Sequence, residues 1–93
     1  MANTIITFKV MPESPDVDLE AIKKKVVAIA TAEGAKGNVA TEIQPIAFGL
    51  SALKVLGMYG DENGIDADAI AAKMAEVENV QTAEVEKVDL AMG

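Results

Sequence analysis

The sequence predicts an α+β fold whose elements alternate as β-α-β-β-α-β. Two amphipathic helical stripes, each opened by an aspartate, are separated by four strand-length apolar runs. No proline or glycine falls within either helical stripe. The 93 residues fit a single domain spanning 1–93. A hydrophobic content of 51% supports a packed core and argues against disorder.

Ile5 to Met11 reads as the first strand. Ile6, Phe8 and Val10 fall on one face, and Ile5, Thr7 and Lys9 on the other. Met11-Pro12-Glu13-Ser14-Pro15 ends it, because two prolines cannot continue a ladder. Asp18 then suits a helix N-cap, with Val17 and Ile22 as a hydrophobic staple across it. Leu19, Ile22, Val26 and Ile29 form the apolar stripe, and Lys23, Lys24 and Lys25 read as its solvated side. Gly34 closes this helix.

Val39 to Ile46 is a half-polar second strand, and Pro45 marks an edge or a strand end. Leu50 to Tyr59 is the third strand and the most apolar. Ile46-Ala47-Phe48-Gly49 joins the two, with Gly49 available for a positive φ. The second helix starts at Asp66, with Ile65 and Ile70 as its staple and Ile70, Met74 and Val77 as its stripe. Val80 to Leu90 is the last strand, with Val85 and Val88 pointing inwards. Their uneven spacing predicts a bulge near Glu86.

This order builds a ferredoxin-like sandwich: one antiparallel sheet in the order 4-1-3-2, with both helices on one face. Val17-Asp18-Leu19-Glu20-Ala21-Ile22 and Ile65-Asp66-Ala67-Asp68-Ala69-Ile70 echo each other at an offset of 48 residues, which supports the two-fold repeat of that architecture weakly. Connectivity alone then places Met11-Pro12, the tip from Pro45 to Gly49, and Glu78-Asn79 on one rim. The C-terminus leaves from the other.

Two surfaces are candidates for function. The hairpin tip is apolar where a tip is normally polar. Phe48 either folds back as a plug on the core or stands out as a partner anchor. The helix-free sheet face carries Leu50, Lys54, Leu56 and Met58 beside Ile5, Thr7 and Lys9, an apolar patch with two lysines in it. Such a patch marks a contact surface or a dimerising face.

Composition removes most chemistry. There is no Cys, no His and no Arg, so thiolate catalysis, the commonest general base and the commonest metal ligand are all absent. A net charge of −7 opposes binding to nucleic acid and to anionic membranes. Tyr59 and Phe8 do not supply an RNA-stacking platform. The carboxylate pairs Asp16/Asp18 and Asp66/Asp68 read as helix N-terminal devices. The run Asp61 to Asp66 lacks the ligand spacing of a calcium loop. No catalytic, cofactor or metal site is expected. No apolar run approaches a membrane span, and the start lacks a secretory pattern, so an intracellular, cytoplasmic protein is expected.

Lys9-Val10-Met11-Pro12-Glu13-Ser14-Pro15-Asp16-Val17-Asp18-Leu19, followed by Pro45-Ile46-Ala47-Phe48-Gly49-Leu50-Ser51-Ala52-Leu53-Lys54-Val55, resembles the archaeal translation elongation factor 1-beta family. The resemblance extends over the whole chain. It implies a guanine nucleotide exchange factor for the GTPase elongation factor 1-alpha, acting by binding without covalent chemistry, and with a monomer favoured. It implies partner contacts at Met11, Pro12, Pro45, Phe48 and Gly49 on one rim, at Lys54 on the sheet face, and at Lys87, Leu90 and Met92 at the far end. Eukaryotic members direct a C-terminal lysine towards the metal site of the GTPase. No lysine follows Leu90 here, and Asp89-Leu90 stands where many archaeal members carry Arg-Arg, which leaves Leu90 and Met92 as a steric wedge. The competing class is a regulatory or dimerising module of the same fold without exchange activity. An enzyme is the third.

Overall fold

The computed structural model describes residues 3–60 and 66–91. Strand β1 (Asn3–Pro12) leads into helix α1 (Leu19–Ala32). Strands β2 (Lys36–Pro45) and β3 (Ser51–Gly60) follow as a hairpin. Helix α2 (Ala67–Ala75) and strand β4 (Val80–Ala91) complete the order. The sheet runs β2-β3-β1-β4 with every pairing antiparallel. That is the predicted 4-1-3-2 arrangement of a ferredoxin-like sandwich.

Both helices begin where the aspartates place them. Asp18 Oδ1 accepts from the Glu20 N–H at 3.0 Å, and Asp66 Oδ1 from the Ala69 N–H at 3.1 Å. Each satisfies an amide that the helix leaves unpaired, a contribution of about 1 kcal/mol. Gly34 closes α1 with φ 109°, and the Ala35 N–H returns to the Ala30 carbonyl at 3.0 Å. Val17 packs on the core as its half of the first staple. Ile65, the matching residue of the second, and the loop run Asp61 to Gly64 lie outside the described residues.

The core sits between one sheet face and the two helices. Ile6, Phe8 and Val10 of β1 and Leu53, Val55 and Tyr59 of β3 meet Ile22, Val26 and Ala30 of α1 and Ile70, Ala71 and Met74 of α2. The strand residues alternate, so both helices cover the same face. The Tyr59 ring folds back over Gly57, where an added Cβ would stand 2.9 Å from Tyr59 Cε2. Its hydroxyl is buried with no hydrogen-bond partner among the described residues. Burial, with the Glu33 carboxylate adding to it, pushes the phenol up to about 12. Glu33 itself accepts from Lys73 Nζ at 2.6 Å, which ties the end of α1 to α2.

The sheet is longer than its cover. Helix α2 has 9 residues and β4 has 12. At about 1.5 Å and 3.3 Å per residue, the helix spans roughly a third of the strand's length. Val88 shows the consequence and corrects the expectation of an inward residue. Its register with Ile6 keeps it on the helix side, yet it is 56% exposed. Helix α2 ends near the start of β4, and Val88 lies beyond its reach on an edge strand. The bulge itself stands where predicted. Pairing jumps from Phe8↔Val85 to Thr7↔Lys87 and leaves Glu86 without a partner in the ladder.

Candidate functional site

The hairpin between β2 and β3 turns on a tight tip. The Leu50 N–H donates to the Ala47 carbonyl at 2.9 Å, and the Ile46 N–H to the Leu50 carbonyl at 2.9 Å. Phe48 and Gly49, the two central residues, have φ of 55° and 78°. Positive φ at both positions is the signature of a type I′ turn, whose twist matches a hairpin. Gly49 adopts it freely. Phe48 does so at a cost of about 1 kcal/mol, because its Cβ crowds the next carbonyl.

Phe48 is 96% exposed, which settles the open question of its direction: it is not a plug on the core. Pro45, Ile46 and Ala47 beside it are exposed as well, with Ile46 at 47%. Burying a phenylalanine contributes about 1.5–3 kcal/mol, and this one contributes nothing to the core. A strained backbone that holds an aromatic side chain in water does not stabilise the fold.

The loop from β1 to α1 supports the tip. A Cβ added at Gly49 would lie 3.7 Å from Pro15 Cβ, so Pro15 stands against the turn. The Glu13 N–H donates to the Asn79 carbonyl at 3.0 Å, and Pro12 pairs with Val80. Pro12 is buried, and Met11 is half-buried on the helix-free face. Met11, Pro12, Pro45, Phe48 and Gly49 therefore share one rim with Asn79, as connectivity requires. Pro15 was missed by sequence reasoning, and so was the left-handed backbone of Asn79, whose place on this rim connectivity had given. Asn79 carries a signal that was available, since asparagine tolerates the left-handed region, and its φ is 71°.

The helix-free face departs from the expected apolar patch. Cross-strand register aligns Glu42↔Lys54, Lys54↔Lys9 and Lys9↔Glu84 in one transverse row. A belt of acid, base, base and acid thus crosses all four strands on that face. Ile5, Leu56 and Thr7 beside it are half-buried or buried. Met58, at 36%, is the exposed large apolar residue of this face among the described residues. Lys54 Nζ lies 3.0 Å from Glu86 Oε2, so the pair spans β1 from β3 to β4.

Lys87 is exposed on β4 and lies 3.4 Å from Asp89, two residues on. Leu90 continues the ladder opposite Thr4, and the strand leaves from the rim opposite Phe48. Met92 lies outside the described residues. Of the expected contact residues that the structure describes, Met11, Pro12, Pro45, Phe48 and Gly49 share one rim, Lys54 and Lys87 lie within the sheet, and Leu90 lies towards the opposite rim. Among the described residues, no group of three or more acidic side chains converges to hold a metal ion, and no helix is long and apolar enough to cross a membrane.

Comparison with known proteins is consistent from end to end. The EF-1 guanine nucleotide exchange domain family matches residues 5–90. Elongation factor 1-beta of Pyrococcus abyssi is 43% identical over 86 residues, covering 92% of each chain. Elongation factor 1-beta of Methanothermobacter thermautotrophicus is 43% identical over 88 residues, covering 95% of this chain and 96% of that one. Elongation factor 1-beta of Methanosphaerula palustris is 41% identical over 92 residues, covering 97% and 99%. By its sequence, the chain belongs to the EF-1 guanine nucleotide exchange domain family.

Proposed function

We propose that this chain promotes GDP release and GTP reloading on elongation factor 1-alpha during protein synthesis. The observation that carries the reading is Phe48: an aromatic side chain held in water at the tip of an apolar hairpin by a positive φ. Aromatic anchors of that kind dominate the energetics of protein interfaces.

The GTPase holds GDP through its phosphate loop, a lysine and a Mg²⁺ ion. An exchange factor performs no bond chemistry on any of these. It binds the nucleotide-free GTPase more tightly than the loaded one. Because coupling is reciprocal, the bound factor weakens the nucleotide by the same factor. Moving release from 1:99 to 99:1 takes about 5.5 kcal/mol of differential affinity. In this reading the hairpin rim, with Met11, Pro12, Pro45, Phe48 and Gly49, supplies the grip. The far end of β4, from Lys87 through Leu90 to Met92, supplies the wedge that the loaded pocket cannot accommodate.

The test is release of labelled GDP from elongation factor 1-alpha, followed with and without this chain. Acceleration by sub-stoichiometric amounts supports the reading. Release at the uncatalysed rate, or equal affinity for loaded and empty GTPase, rejects it. Self-association with no effect on the GTPase supports the regulatory or dimerising module instead.

A further inference from the structure

The bulge in β4 decides which face its C-terminal half presents. Val85 pairs with Phe8 and faces the helices. In an unbroken strand Lys87 would share that face, because side chains alternate with a period of two. The extra residue, Glu86, resets the alternation. Lys87 instead pairs with Thr7 and Asp89 with Ile5, both on the helix-free face, while Val88 returns to the side of Ile6. A single residue thereby inverts the orientation of everything after it.

Glu86 is also the residue that Lys54 reaches, at 3.0 Å, across β1. Thr7, on the strand they span, is only 8% exposed although it lies on the face without helices. The side chains of the pair are 21% and 33% exposed, partly sheltered on the sheet.

We infer that Lys54 and Glu86 are positioning residues for exchange. They hold the β4 bulge, and the bulge presents Lys87 and Asp89 on the helix-free face. Lys54 then acts through Glu86 and not by touching the partner. The effect on exchange rests on the functional reading above, whereas the effect on register does not. A pair this exposed biases two registers by about fivefold.

The experiment compares wild type with Glu86→Gln, Lys54→Met, the swap Lys54→Glu/Glu86→Lys, and deletion of Glu86. Two quantities are read for each: catalysed GDP release from elongation factor 1-alpha, and cross-strand proton contacts between Thr7 and Lys87 by NMR. The single variants should lower the maximal rate of release by about fivefold and leave the half-saturating concentration unchanged. Their Thr7–Lys87 contacts should weaken. The swap should restore both. Deletion of Glu86 should lower the maximal rate by tenfold or more, about the loss that a misplaced group brings.

A swap no better than the single variants overturns the proposal. So does a change in half-saturation alone, which makes Lys54 a direct contact. If the deletion does not fold, the singles and the swap still decide. If wild type fails to accelerate GDP release, the exchange reading falls. The Thr7–Lys87 contacts then still decide whether the pair holds the bulge.

Discussion

Phe48 and Gly49 are consecutive residues with positive φ, at 55° and 78°, and only the second lacks a Cβ. The turn needs both values, so the first residue is the strained one. Replacing Phe48 by glycine or asparagine removes that strain and exposes less apolar surface. Phe48→Gly should therefore melt at or above the wild-type temperature, by up to about 1 kcal/mol of added stability. Exchange should move the other way. Loss of a hot-spot aromatic costs about 2 kcal/mol or more, a rise of roughly 30-fold in the half-saturating concentration. Melting curves and GDP-release titrations on the same samples check both signs. If the two quantities fall together, Phe48 was holding the fold.

Gly57 gives a prediction about the core. Its missing Cβ makes room for Tyr59, whose ring atoms Cε2 and Cζ would stand 2.9 and 3.1 Å from it. Gly57→Ala should destabilise by about 1–3 kcal/mol, since the ring is fully enclosed and has nowhere to move. In a domain of this size that is a melting drop of roughly 4–20 °C. With Tyr59→Leu as the background the cost should shrink, because the two residues share one contact.

Tyr59 itself predicts a response to alkali. Its phenol is raised to about 12 in the fold, against about 10 in an unfolded chain. Between those values the unfolded state gives up its proton first, so stability falls as pH rises. The contribution is fully present below pH 10, and its loss amounts to at most about 3 kcal/mol by pH 12. Tyr59→Phe removes both this dependence and an unpaired buried hydroxyl. It should match or exceed wild-type stability at pH 8 and gain on it progressively above pH 10. Urea titrations of the two proteins across that range read the difference directly, free of the lysines that titrate in both.

Which of these features could be read from residues alone follows a physical line. Strand order, both N-caps and the shared rim follow from local signals and connectivity, and Asp18, Asp66 and the Pro12/Pro45 rim stand where those signals put them. The bulge was legible too, because Val85 and Val88 are three apart on a strand with a period of two. Features that depend on pairing across the sheet were not legible. Lys54 and Glu86 are far apart in sequence, and only register brings them to 3.0 Å. The belt from Glu42 to Glu84 is likewise visible only once the strands are aligned. The exposure of Val88 needed the lengths of α2 and β4 to be compared. Phe48 was ambiguous for a different reason: an apolar tip folds in or stands out according to one backbone dihedral.

The two helix caps provide the control that separates stability from exchange. Asp66 opens α2 and Asp18 opens α1, and neither is among the expected contact residues. Each alanine replacement should cost about 1 kcal/mol, and the double variant should be additive within about 0.5 kcal/mol. Asp66→Ala should leave GDP release at wild-type rates wherever the protein remains folded. If a drop in exchange accompanies it at such temperatures, global stability is limiting the assay, and the Phe48 variants must be read against that baseline.

The far end of β4 separates two ways of opening the nucleotide pocket. Lys87 is the last cation in the sequence and is exposed beside Asp89, which offsets part of its charge. Leu90 and Met92 follow it and carry no charge. If a steric wedge drives release, Leu90→Ala/Met92→Ala should lower the maximal rate by about tenfold while half-saturation stays within about twofold, because the hairpin tip still grips. Lys87→Met should then have little effect. If cation displacement drives it, the two variants exchange behaviour, and added salt should weaken the wild-type rate by screening. Truncation after Asp89 removes both apolar residues, but it also removes the pairing of Leu90 with Thr4 and of Ala91 with Asn3. Its melting temperature should fall, whereas the alanine pair keeps the backbone ladder and should not. Agreement between the truncation and the alanine pair in maximal rate, despite that difference in stability, is the result expected of a wedge.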